Sequence, residues 1–128
     1  MNIGLLEDSL AVGECITTAL GLFGHTVSTH ITGASLLEAL SPASEMQLLP
    51  YDLVIIDLDL PGGLSGQEVV MMVHSNAATH RLPILIISGT HESELERVRM
   101  RFPSIPILRK PFKFRDLAQY IDQCCSMP

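Results

Sequence analysis

Along this chain, apolar runs of strand length alternate five times with stretches of helical period. Ile3 to Leu6 predicts a first strand, and Val12, Ile16, Ala19, Leu20 and Phe23 recur at three- and four-residue steps, which puts them on one buried helical face. Gly24 stops that helix. Val27, Thr29 and Ile31 alternate as a weaker second strand, and Gly33 to Leu40 predicts a short helix led by Ser35. Ser41 to Pro50 carries two prolines and mixed polarity and predicts a loop. Leu53-Val54-Ile55-Ile56 is purely aliphatic, the pattern of a strand covered on both faces of a parallel sheet. Pro61-Gly62-Gly63 is a turn, and Val69, Val70 and Val73 are the buried side of a third helix. Pro83 opens a fourth strand, Ile84 to Ile87, where no ladder donor is needed. Ser93 and Glu96 have capping-box spacing, and Leu95, Val98 and Phe102 form the seam of the helix they would start. Ile105, Ile107 and Leu108 make the last strand, and Leu117, Ile121 and Cys124 the inner face of a closing helix that ends near Ser126.

Strand-helix alternation of this kind implies right-handed crossovers and helices on both faces of one sheet. The predicted fold class is α/β: a doubly wound, five-stranded parallel sheet with five helices in three layers. Open sheets of this type bind ligands at the carboxyl ends of their strands. Four strand ends here carry polar groups: Glu7 and Asp8, Asp57, Ser88, and Lys110. Asp57 is therefore expected at the mouth of its strand and not in the core.

Length and composition narrow the function without naming it. At 128 residues the chain is expected to be one domain, 1–128, able to fold without disulfide or metal staples. A net charge of -6 disfavours direct nucleic-acid binding. No apolar run approaches the roughly 20 residues of a membrane span, so no membrane partner is expected. Cys15, Cys124 and Cys125 are odd in number and lack zinc or redox spacing, and are read as buried thiols in a reducing cytoplasm. No signal peptide is seen, since acids follow Met1 at once, and nothing is expected to precede the domain. The five histidines are scattered, and Gly62-Gly63 lacks the lysine-hydroxyl pair of a phosphate loop.

Three carboxylates within about 4 to 6 Å repel by roughly 4 kcal/mol per pair at an effective dielectric near 20, so such a rim requires a cation. A hard divalent ion such as Mg²⁺ suits oxygen ligands and keeps waters that a phosphate can replace. Lys110 adds a fixed positive charge and Ser88 a hydroxyl donor. An aspartate between a metal and a lysine, with a hydroxyl nearby, is equipped to accept a phosphoryl group.

These residues resemble the receiver domain of two-component response regulators, of the kind found in chemotaxis regulators, over essentially the whole chain. The motifs are Glu7-Asp8, Asp57-Leu58-Asp59-Leu60-Pro61, Ser88-Gly89 and Lys110-Pro111-Phe112, each at a strand end. The resemblance implies a flavodoxin-like fold and a phosphoacceptor signalling module, not an enzyme beyond intrinsic autophosphorylation and autodephosphorylation. It implies Asp57 as the acceptor, taking its phosphoryl group from a phosphohistidine on a histidine kinase or phosphotransfer protein. Mg²⁺, or Mn²⁺, would be held by Glu7 through a water, by Asp8 and Asp57, and by the backbone carbonyl of Asp59. Lys110 and Ser88 would bond the phosphoryl oxygens, and the Lys110-Pro111 bond would be cis. The fourth helix, fifth strand and fifth helix would form the face toward an effector, an output domain absent from 1–128, or a homodimer, with Arg97, Arg101, Arg109 and Lys113 on or near it.

Three departures bear on that picture. Ile107 stands where the family usually has an aromatic ring that swings inward, which puts the usual coupling in doubt. The turn from Pro61 to Gly66 is about one residue longer than the common pattern. Asp59 adds a carboxylate to an anionic site and is expected to change acyl-phosphate lifetime. Alternatives are a degenerate receiver that binds partners without phosphorylation, and a small phosphatase using Asp57 as nucleophile.

Overall fold

A computed structural model describes residues 1–41 and 48–125. Residues 42–47 of the expected 41–50 loop, and Ser126, lie outside the described residues. The elements run β1 (Asn2–Leu6), α1 (Leu10–Leu22), β2 (Thr26–His30), α2 (Gly33–Leu40), β3 (Leu53–Asp57), α3 (Gly66–Ser75), β4 (Ile84–Ser88), α4 (Glu92–Arg101), β5 (Ile107–Arg109) and α5 (Phe114–Cys125). All five strands pair in parallel, in the order β2-β1-β3-β4-β5. The order reverses between β1 and β3, and Glu7, Asp8 and Asp57 flank that switch point.

Alternation along the central strands divides the core into two halves. Leu6, Val54, Ile56, Ile84 and Ile86 face α2, α3 and α4, where they meet Leu36, Val69, Val73 and Val98. Ile3, Leu5, Leu53, Ile55, Leu85 and Ile87 face α1 and α5, where they meet Ile16, Leu20, Leu117 and Ile121. Because β3 and β4 are buried along their full lengths, helices cover both faces and the three-layer prediction holds.

Several local expectations change. Val12 and Phe23 are exposed, and α1 instead buries Gly13 with Ile16, Ala19 and Leu20: the apolar period was wider than the face it marks. Gly24 does follow the helix, at φ +89. On the edge strand β2, Ile31 lies beyond the last residue and is exposed. Thr32, not Ser35, caps α2 by accepting the Ser35 N–H. The Ser93/Glu96 capping box does not form; α4 starts two residues earlier, with His91 at the cap and no side-chain bond there. A capping box forms instead at α3, where Ser65 and Glu68 bond each other's backbone N–H. Cys15 is exposed and Cys124 half-buried, so the reading of buried thiols fails for Cys15. It sits on the outer side of α1, a step away from Ile16.

Candidate functional site

Parallel pairing brings the ends of β1, β3, β4 and β5 to one edge, and the predicted residues converge there. One carboxylate oxygen each from Glu7, Asp8 and Asp57 lies within 4.8 Å of the others, the group among the described residues that could hold a metal ion. Asp8 is exposed, whereas Glu7 and Asp57 are buried. As expected, Asp57 is the last residue of β3 and belongs to neither apolar cluster; its carboxylate is nevertheless only 1% exposed, because β3 is the central strand and the rim closes over its end.

Lys110 is what makes that burial tolerable. Its Nζ donates to Asp57 Oδ2 at 3.0 Å and to Glu7 Oε2 at 3.2 Å. The Lys110-Pro111 bond is cis, as expected, and the Lys110 N–H bonds the Ser88 carbonyl at 2.7 Å, which fixes the lysine beside β4. Asp57 Oδ1 accepts the Asp59 N–H at 2.9 Å. Glu7 is set by two backbone bonds: its N–H donates to the His30 carbonyl, and its Oε1 accepts the Ser9 N–H at 3.2 Å. His30 is in turn clamped, Nδ1 to Ser35 and Nε2 to Tyr51 at 2.6 Å, and burial holds its imidazole below the usual range.

The electrostatics show an anionic site short of cations. Burial first, and then Asp57 beside it, push Glu7 up to about 7 in spite of Lys110. Burial opposes the charge on Lys110, yet its bonds to Asp57 and Glu7 hold the ammonium above the usual lysine range. Desolvation acts against Asp59 as well, but bonds from Thr90, Gly89 and Ser88, with Lys110 nearby, hold it below the usual carboxylate range. A buried pair of acids with one lysine between them fits a divalent cation, since oxygen donors are already gathered and a further positive charge would offset the burial and the Asp57 charge that push Glu7 up.

Ser88 is brought to the rim as predicted, but it is not turned toward Asp57. Its hydroxyl lies 3.0 Å from Asp59 Oδ1 and 2.8 Å from Thr90 Oγ1. Thr90 was missed from sequence; the signal was its hydroxyl, two residues after Ser88 across a glycine, at the end of a buried strand. Ile107 packs against the half of the core that holds Val98 of α4 and Phe102 at its C-terminal cap. Of the cations expected near the far face, Arg109 bonds Glu92 across α4 at 3.5 Å, whereas Arg101 leans back over Phe102 and toward Gln67 and Met71 of α3. Arg97 and Lys113 are exposed.

Comparison with known proteins gives the same direction. The family model of the response regulator receiver domain matches residues 3–122. The transcriptional regulatory protein QseB of Escherichia coli O157:H7 is 33% identical over 123 residues, covering 95% of this chain and 52% of that protein. The swarming motility regulation protein RssB of Serratia marcescens is 29% identical, over 91% of this chain and 49% of that one. The chain thus spans about half the length of the curated relatives it matches. Among solved structures, a putative response regulator from Chloroflexus aurantiacus J-10-fl superposes with TM-score 0.84, at 21% identity and 98% coverage of both chains. The receiver domain of the sensor histidine kinase PA1611 of Pseudomonas aeruginosa PAO1, with a magnesium ion in its active-site cleft, superposes at 0.83, again with 21% identity and 98% coverage of both. At such identities the superpositions speak for the fold alone, which is that of the CheY-like receivers. The family match covers nearly the whole chain and includes every strand end that gathers at the rim, so this chain belongs to the response regulator receiver domains of two-component signalling.

Proposed function

We propose that Asp57 is the phosphoacceptor of this receiver and that a phosphohistidine on a histidine kinase or phosphotransfer protein is its donor. The observation that carries this reading is the buried Asp57 carboxylate, with Lys110 on one oxygen and the Asp59 N–H on the other. An Asp57 oxygen attacks phosphorus, the P–N bond to the donor imidazole breaks, and the imidazole leaves with the electron pair. Lys110 stays beside the new acyl phosphate and faces the charge that gathers on the phosphoryl oxygens. Glu7 through a water, Asp8, Asp57 and the Asp59 carbonyl would hold Mg²⁺, or Mn²⁺ in its place. Bound there, the ion supplies Lewis-acid neutralisation of the transferring oxygens.

The donor must bring its imidazole to this rim. An apolar groove borders it, lined by Val12, Cys15, Pro111 and Phe114, with Leu10 also exposed nearby. Exposed apolar surface of this kind suits a protein partner. The α4-β5-α5 face is the proposed side for an effector, an output domain or a second copy. The receiver would work in the cytoplasm; no described helix is long and apolar enough to cross a membrane.

Intact mass after incubation with acetyl phosphate and Mg²⁺ tests the reading. A single phosphoryl adduct, lost when EDTA is present, is the expected result. Release of phosphate over many turnovers would point to a phosphatase, and no adduct with any donor to a degenerate receiver.

The Glu7 shift gives a pH prediction. Folded Glu7 holds its proton up to about pH 7, above its ordinary value of 4.5, so between those pH values the folded state binds the proton more tightly than the unfolded one. That contribution to stability is present at low pH and is lost as pH rises through about 7. Mg²⁺ needs the ionised carboxylate, so it is expected to raise the melting temperature more at pH 8 than at pH 5. An equal rise at both pH values would count against Glu7 as part of the metal site.

A further inference from the structure

Asp59 holds the β4–α4 loop through three donors. The Ser88 and Thr90 hydroxyls reach its Oδ1 at 3.0 and 2.6 Å, and the Gly89 N–H reaches Oδ2 at 2.6 Å. Two hydroxyls and a backbone N–H converging on one anion form the kind of donor set that phosphoryl oxygens require. The Ser88 hydroxyl has a single proton, and both of its acceptors, Asp59 and Thr90, lie within this cluster. Lys110 meanwhile is engaged with Asp57 and Glu7. The rim's cation and its hydroxyls are thus divided between two carboxylates two residues apart, joined by the bond from the Asp59 N–H to Asp57.

We propose that the Asp59 carboxylate is an internal stand-in for the phosphoryl group, tethering the Ser88-Gly89-Thr90 loop until phosphorylation of Asp57 displaces it. The proposal rests on the reading of Asp57 as acceptor. A phosphoryl group on Asp57 replaces a single carboxylate charge by close to two, a net gain of about one negative charge beside Asp59, and competes for the Ser88 hydroxyl. Asp59 then loses a donor and is repelled, and Gly89 and Thr90 are released with it. The released segment leads directly into α4, whose start at His91 has no side-chain cap to hold it. Glu92, the next residue, bonds Arg99 and also Arg109 of β5. A displaced loop therefore pulls on a contact between α4 and β5. That route to the α4-β5 face requires no swinging ring, which accords with Ile107 at the usual aromatic position.

The tether opposes the phosphorylated state, so removing it is expected to favour that state. Beryllofluoride with Mg²⁺, a non-covalent phosphoryl mimic, serves as the probe, read by calorimetry and by the amide spectrum of ¹⁵N-labelled protein. Asp59→Ala is expected to bind it about tenfold more tightly than wild type, the effect of losing one competing charge-assisted bond. Asp59→Asn, which keeps one acceptor oxygen and leaves the loop packing nearly unchanged, should fall between them. In wild type the Gly89 amide should move on saturation, and in probe-free Asp59→Ala it should already be displaced the same way. On a Ser88→Ala background most of the affinity gain should vanish, because the shared donor is gone. Equal or weaker binding by Asp59→Ala, or a Gly89 amide that saturation leaves in place, overturns the tether while wild-type binding upholds the receiver reading. No binding by wild type or any variant overturns both.

Discussion

Asp57→Asn is expected to take up no phosphoryl group from acetyl phosphate while remaining folded. The amide keeps a carbonyl oxygen that can accept the Asp59 N–H, now bonded to Asp57 Oδ1 at 2.9 Å, so the turn after β3 retains its anchor. Lys110 loses one of its two carboxylates and keeps Glu7. What disappears is the nucleophile, since a neutral amide oxygen does not form a stable bond to phosphorus in place of the acyl phosphate. The substitution also removes a charge that raises the Glu7 pKa, although burial, the larger cause, stays. Glu7 should therefore titrate lower in the variant, so the fall of metal-free stability that starts above the ordinary value of 4.5 should end at a lower pH and be smaller in total. Mg²⁺ affinity is expected to drop about tenfold or more, as losing a ligand should cost at least what losing a ligand's supporting partner does. Intact-mass analysis and Mg²⁺ titration check both halves. An adduct that persists in Asp57→Asn would move the acceptor elsewhere on the rim.

The strand pattern was legible because burial on both faces leaves little choice of residue. β3 and β4 are uninterrupted aliphatic runs, which marks them as strands covered on both faces; the order β2-β1-β3-β4-β5 is not written in those runs. Where burial is one-sided the signal weakens: the period that placed Val12 and Phe23 inside α1 continued past the face that packs, and Ile31 continued the alternation of an edge strand past its end. Caps were read from spacing, which does not say where a helix begins. Ser93 and Glu96 fit a capping box but sit inside α4, whereas the box that forms, Ser65 with Glu68, follows the Pro61-Gly62-Gly63 turn. In the site, the gathering of Glu7, Asp8, Asp57, Ser88 and Lys110 at one edge follows from topology. The partners of each side chain do not, because they depend on a loop. Asp59 was expected to change acyl-phosphate lifetime through its added carboxylate; its bonds to Ser88, Gly89 and Thr90 required the β4–α4 loop to fold back across it.

Gly66→Ala is expected to be the most destabilising single-methyl addition near the site, and the reason links the fold to the chemistry. A Cβ at Gly66 would lie 2.4 Å from the Asp57 carbonyl oxygen and 2.6 Å from the Leu58 Cα. Both are backbone atoms, so no side chain can turn aside to admit the methyl group. Either α3 moves away from the sheet, opening the packing of Val69, Val70 and Val73, or the end of β3 shifts and carries the Asp57 carboxylate away from Lys110. Overpacking of this kind costs about 1 to 3 kcal/mol, and a rigid backbone neighbour puts it at the upper end. For a domain of this size that is a fall of roughly 10 °C in melting temperature. Gly21 is the control, because a Cβ there meets nothing within 4 Å and its backbone is helical. Gly21→Ala should gain about 0.5 to 1 kcal/mol from reduced freedom of the unfolded chain and improved helix propensity. If α3 is what yields in Gly66→Ala, phosphorylation by acetyl phosphate persists at a temperature where the variant is folded; if β3 yields, the rate falls there as well. A variant as stable as wild type would show that the contact between the start of α3 and the end of β3 is looser than the distances to Gly66 imply.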